Sequence, residues 1–126
     1  MKLLVFGHDV VIQRIKAVLY NSDIEVTPVS WEKLNNRDNL KSYDLAIIDM
    51  AFENAENACR LVTKIYEIPL VLIIKHRQAD WARLDSMNAF GYISDTFSKS
   101  ELIARLSAIS RRYHAQMDLS ETIQAS

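Results

Sequence analysis

The chain predicts an α/β fold, a single flavodoxin-like (βα)5 three-layer sandwich around a parallel five-stranded sheet in the order 2-1-3-4-5. Three observations carry this. Short apolar runs recur along the chain (KLLVFG, IEVTP, DLAIID, LVLII and FGYIS). The stretches between them place apolar residues at helical spacing. Strand and helix alternate strictly with short connections, which implies a parallel sheet with helices on both faces and right-handed crossovers.

Lys2 to Gly7 reads as a buried strand. Val10 to Tyr20 follows as a helix with Val11, Ile12, Ile15, Val18 and Leu19 apolar, and Asp9 stands where an N-cap belongs. Ile24 to Pro28 alternates as a second strand. Trp31 to Leu40 is a weakly periodic helix that Ser30 is placed to cap. Asp44 to Asp49 is the third strand, and Ala55 to Tyr66 is a helix with Ala58, Leu61, Val62 and Ile65 on one side. Pro69 opens the most apolar strand, Leu70 to Ile74. Ala79 to Met87 is the next helix and Phe90 to Ser94 the last strand. Ser98 to Tyr113 closes the alternation as a helix. Ser98 and Glu101 have capping-box spacing there, Leu102, Leu106, Ile109 and Tyr113 form one stripe, and Arg111 and Arg112 suit the negative end of the helix dipole.

The 126 residues suffice for one domain with one core. The net charge of -1 argues against direct nucleic-acid binding by this domain, since phosphate contacts need a basic surface. Cys59 is the single cysteine, so no internal disulfide forms and a reducing, cytoplasmic setting is expected. No apolar run approaches the roughly 20 residues of a membrane span, and the N-terminal run is too short for a signal peptide. Gly-rich phosphate loops, HExxH, CxxC and nucleophile elbows are absent from the sequence.

In a sheet of this order the functional crevice lies at the carboxyl ends of strands 1 and 3. Asp49 ends the third strand, and Gly7, His8 and Asp9 end the first. An acid closing an otherwise apolar strand is the chain's one pointed chemical feature. Asp9 also fits a helix cap. His8, His76, Asp49 and Asp95 lack the short spacing of a transition-metal site. Cys59 fits a small core residue. Lys75, His76 and Arg77 fit a solvated loop, while Trp31 and Trp81 fit the helix–sheet edges or a partner contact.

From Lys2 to about Arg112 the chain resembles the receiver domain of bacterial response regulators. YDLAIIDM resembles the strand that carries the phospho-accepting aspartate, at Asp49; IPLVLII and NAFGYIS resemble the fourth and fifth strands; SKSELIARLSAISRR resembles the last helix of OmpR/PhoB-type regulators. The resemblance implies a receiver-like domain over 1–114, followed by a C-terminal tail or interdomain linker over 115–126. It also exposes departures. The family's acidic pair for magnesium falls on Gly7 and His8, with Asp9 one residue late. Its phosphate-binding Ser or Thr falls on Ile74, beside Lys75. Its lysine and following cis proline fall on Asp95 and Thr96. The Pro-Gly after the phosphoacceptor becomes Glu53 and Asn54.

Phosphoryl transfer depends on positioning and on neutralising charge around the moving group. Removing one such donor often costs about 10²–10³ in rate. A phosphoryl group also brings about -1.5 to -2 charges, here near Asp95 rather than a lysine. The expectation is therefore an atypical receiver, independent of phosphorylation, with no enzymatic activity and no cofactor. Asp49 is expected in a fixed ion pair with Lys75 or His8. By resemblance the domain forms a homodimer through the fourth helix, fifth strand and fifth helix, a face that includes Arg83, Tyr92, Arg105, Arg111 and Arg112, and serves a regulator with a C-terminal DNA-binding output domain. Phe90 and Gly91 replace the acids that usually meet those arginines, which favours a more apolar contact. Two alternatives stand beside this: a competent phosphoacceptor at Asp49, with Asp9 drawn into contact with magnesium, and a small cofactor binder or enzyme on the same fold.

Overall fold

The computed structural model describes residues 1–36, 42–75 and 80–125, with side chains described through residue 115. The elements run β1 (Lys2–Phe6), α1 (Asp9–Val18), β2 (Glu25–Pro28), α2 (Trp31–Asn35), β3 (Leu45–Asp49) and α3 (Ala55–Arg60), the last continued by a π-helical turn (Leu61–Ile65). β4 (Leu70–Ile74), α4 (Trp81–Asp85), β5 (Gly91–Ser94) and α5 (Lys99–Ala125) follow. All four strand pairings are parallel, and the strand order is β2-β1-β3-β4-β5, as the sequence predicts.

The two-residue period of the strands sorts their side chains into two cores. Leu4, Phe6, Ala46, Ile48, Leu70 and Leu72 face one side and pack with Leu34 of α2, Ala58 and Cys59 of α3 and Leu84 of α4. Leu3, Val5, Leu45, Ile47, Val71 and Ile73 face the other and pack with Ile12 and Ile15 of α1 and Leu102, Leu106 and Ile109 of α5. β3 and β4 are buried along their whole length, which is why their sequences read as continuous apolar runs.

Some local expectations need correction. Asp9 does not cap α1. It is the first helical residue, His8 occupies the N-cap position without a side-chain cap bond, and Asp9 instead places its charge in the first turn, where the dipole favours it. The third helix does not stay α-helical to Tyr66. Thr63 Oγ1 donates to the Cys59 carbonyl at 2.8 Å, and the Tyr66 amide reaches the Leu61 carbonyl five residues back. A threonine hydroxyl bonded to the carbonyl four residues back competes with the helix ladder, and the turn here has the five-residue spacing of a π-helix. The expected end of the last helix at Tyr113 is also wrong: α5 continues without a break to Ala125. Ser30 caps α2 through the Lys33 amide and Ser98 caps α5 through the Glu101 amide, as expected. The expected end of α2 at Leu40, the start of α4 at Ala79, and His76 and Arg77 lie outside the described residues.

Candidate functional site

β1 and β3 are neighbours, with Phe6 in register with Ile48. The next step along each chain brings Gly7 against Asp49. A Cβ on Gly7 would stand 2.6 Å from the Asp49 Cβ, closer than two such carbons approach, so only glycine permits this packing. Where the receiver pattern has an acid, this chain has filled the space with the aspartate's own stem.

Asp49 is 5% exposed and is the one buried charged residue among the described residues. Both of its oxygens are partnered. The Ala51 amide donates to Oδ1 at 3.0 Å. His8 Nδ1 lies 3.0 Å from Oδ2, and the His8 amide makes a longer contact to the same oxygen at 3.5 Å. A carboxylate only accepts, so the ring contact needs a proton on Nδ1. The imidazole is steadied by Phe52, packed edge-on with ring centroids 4.7 Å apart. Of the two bases expected near Asp49, His8 reaches it and Lys75 does not: Lys75 is exposed and forms no ion pair with it.

The remaining positions of the crevice are equally unlike a phosphate site. Ile74 is buried, at 4% exposure, and offers no hydroxyl. Thr96 is turned to its neighbour, with Oγ1 2.9 Å from Ser94 Oγ. Asn54, where the receiver pattern has glycine, adopts the left-handed conformation at φ 67°, one that asparagine tolerates. Asp9 lines a separate cavity with Ser30, Trp31, Phe52 and Glu53 rather than the one that Asp49 lines.

Magnesium, which the receiver resemblance implies, finds no fit. It asks for carboxylates and other oxygens in near-octahedral array. Here Gly7 has no donor and no room for one, His8 already engages Asp49, and no cluster of three ligating side chains occurs among the described residues.

Arg14 is the functional-looking residue that the sequence reading missed. From α1 it donates to the carbonyls of Asp95 and, at 2.8 Å, Phe97, and its guanidinium lies 4.3 Å over the Phe97 ring. It thus pins the β5–α5 connection, where the receiver pattern has lysine and proline.

The residues expected on a dimer face divide into two groups. Arg83 pairs with Glu56 across α4 and α3, and Arg112 donates to the Phe90 carbonyl at 3.2 Å. Arg105 and Arg111 are exposed and engage no partner among the described residues. Tyr92 meets Trp81 edge-on with centroids 5.6 Å apart, and Trp81 is 46% exposed. Burial, with a smaller contribution from Asp85, raises the Tyr92 phenol above its ordinary value. Cys59 is fully buried as expected, and burial pushes its thiol up to about 12.

No family model matches the chain, and no curated relative does. Solved structures do. A fusion carrying a yeast Spc42 trimeric coiled-coil segment superposes with a TM-score of 0.81 at 19% identity, over 97% of this chain and 87% of that one. The N-terminal domain of a response regulator/sensory box/GGDEF 3-domain protein from Carboxydothermus hydrogenoformans gives 0.77 at 19% identity, over 93% and 99%. A response regulator receiver domain protein from Clostridium thermocellum gives 0.73 at 22%, over 91% and 98%. At these identities the likeness establishes architecture: this chain has the receiver-domain fold. No helix among the described residues is long and apolar enough to cross a membrane.

Proposed function

We propose that this domain is an atypical receiver of two-component-type signalling that works without phosphorylation of Asp49, as a dimerisation and regulatory module of a transcriptional regulator. One observation carries the reading: both oxygens of Asp49 are already bonded within the domain, and the neighbouring strand end supplies a histidine instead of metal-binding acids. A phosphoryl group added there would displace the His8 contact and bring more negative charge toward Asp95 with no metal to offset it. The α4–β5–α5 face forms the homodimer contact. Trp81 and Tyr92 supply an apolar centre, and Arg105 and Arg111 supply unpaired charge at its edge. Aromatic and arginine side chains are the usual anchors of such contacts. The unbroken α5 carries the dimer's geometry toward the output domain, which by resemblance of the helix-five sequence binds DNA.

The test has two arms. Incubation with magnesium and acetyl phosphate, followed by intact mass, leaves the protein unmodified; a phosphoryl adduct that vanishes in Asp49→Asn overturns the reading and restores the competent-phosphoacceptor alternative. Sedimentation without any phosphodonor gives a dimer that Trp81→Ala or Arg105→Glu weakens. A strict monomer at about 100 μM, where a dimer of about 10 μM Kd or tighter is mostly formed, overturns the dimer.

A further inference from the structure

Beside the His8–Asp49 pair the crevice opens into a cavity of about 350 Å³, within the range of small-molecule sites. Its walls are chiefly apolar, from Val11, Met50, Ile73, Ile74 and Leu84. Charged groups also line it, and most are already engaged. Asp49 and His8 satisfy one another. Arg83 is held by Glu56. The Asp80 carboxylate caps α4 through the Arg83 amide.

Two charges remain, one of each sign. Lys75 and Asp95 lie one residue beyond the last register pair of β4 and β5, Ile74 with Ser94, and the Asp95 amide donates to the Ile74 carbonyl. They stand side by side on adjacent strands without forming an ion pair, and neither side chain has another partner among the described residues. Adjacent strands lie about 4.8 Å apart, so one compact ligand can meet both side chains at once. A ligand with only a carboxylate would meet Lys75 and be repelled by Asp95. A ligand with only an ammonium would meet the reverse. A zwitterion satisfies both.

We propose that this cavity binds a free α-amino acid with an aliphatic side chain, its carboxylate on Lys75, its ammonium on Asp95 and its side chain against Ile73, Ile74, Met50 and Leu84. The inference rests on the reading that no phosphoryl group enters the crevice. It supplies the signal that phosphate would otherwise provide, since a ligand seated between the strand ends and α4 favours whichever α4 position it contacts best.

Isothermal titration of the intact chain tests it with L-leucine, glycine, 4-methylpentanoate and isoamylamine. L-leucine binds saturably. Glycine lacks the apolar body, and the other two lack one charge each, so all three bind at least tenfold more weakly. Lys75→Ala and Asp95→Ala each weaken L-leucine binding tenfold or more, the scale of a lost charge-assisted hydrogen bond. Both positions are exposed or half-buried, and unchanged thermal midpoints certify that the variants fold. No saturation by L-leucine up to about 10 mM, a concentration that fills any site of biological strength, overturns the proposal. So does equal binding of the acid or the amine alone, or binding indifferent to both substitutions. A phosphoryl adduct at Asp49 in the mass experiment fails the underlying reading, whereas absent leucine binding on an unmodified protein fails this inference alone.

Discussion

His8→Ala isolates the contact that defines the crevice. The imidazole touches Asp49 Oδ2 at 3.0 Å and packs edge-on against Phe52. Removing it leaves a carboxylate at 5% exposure with the Ala51 amide on one oxygen and only the long 3.5 Å amide contact on the other. A hydrogen bond to a charged group contributes about 1.5–3 kcal/mol, and an aromatic edge contact adds about 0.5–1.5 kcal/mol. The ring is itself half exposed, at 51%, so water replaces part of the lost bond and the lower ends of both ranges apply. The expected cost is about 2 kcal/mol. With a urea slope of about 1–3 kcal/mol/M for a domain of this size, the midpoint falls by roughly 1 M at unchanged slope. Asp49→Asn should cost less, because an amide still accepts from the Ala51 amide and can donate to Nδ1 in its other tautomer. The double variant completes the cycle, and residues in direct contact should couple by about 0.5–3 kcal/mol. If His8→Ala leaves the urea midpoint in place, or if the cycle closes with no coupling energy, then His8 does not hold Asp49 and the fixed pair is wrong.

Gly7→Ala should destabilise by about 1–3 kcal/mol, the cost of overpacking, because its new methyl stands 2.6 Å from the Asp49 Cβ; a urea midpoint equal to the parent's contradicts the close approach of β1 and β3. Cys59 should resist a disulfide-exchange reagent at pH 8 until the protein unfolds, its thiol being buried and held up to about 12 from 9.0. The sign for stability follows. Above 9.0 the unfolded chain releases this proton while the folded chain keeps it, so stability falls as pH rises toward about 12, by about 1.4 kcal/mol per unit. Cys59→Ala lacks that increment, and parallel pH–stability curves for the two proteins would refute it. Arg14→Ala should speed amide exchange at Phe97 and Leu102 by freeing the β5–α5 connection, and unchanged exchange there denies the strap. Glu56→Gln should change stability by less than about 1 kcal/mol, since the pair with Arg83 is exposed.

The fold was legible because its information is periodic. β3 and β4 are buried on both faces and read as unbroken apolar runs, while α1 and α5 carry single stripes that the sheet requires. The position of Asp49 was legible for the same reason, since a charge ending such a run has one place to go. Its partner was half legible: spacing brought His8 and Lys75 to neighbouring strand ends, and it is the imidazole, packed against Phe52, that reaches Asp49. Arg14 was illegible, because its targets lie 81 and 83 residues away and an arginine on a polar helix face reads as solvated. The run of α5 beyond Tyr113 was missed because the polar segment after it carries no apolar stripe, and a helix there leaves no pattern for periodicity to find. The reason for Gly7 was hidden too: the sequence marks a missing acid, whereas the geometry marks a position closed to any side chain.

A switch needs two states that some ligand tells apart. In this crevice the groups that would respond to phosphate are spoken for: Asp49 by His8 and Ala51, Thr96 by Ser94, and the β5–α5 connection by Arg14. α4 is held more loosely. It is five residues long, buries Leu84 alone, and meets α3 through an exposed ion pair. Its Trp81 rests on Tyr92 of β5 while remaining nearly half exposed. The cavity beside Lys75 and Asp95 reaches Leu84 and Arg83 of this helix, and Arg83 and Trp81 also belong to the proposed dimer face. A ligand in the proposed site would touch α4 directly, on the helix that carries Trp81. Asp49 is held on both oxygens, so if both proposals hold, the element that answers a signal is this short helix, between the proposed ligand site and the proposed interface.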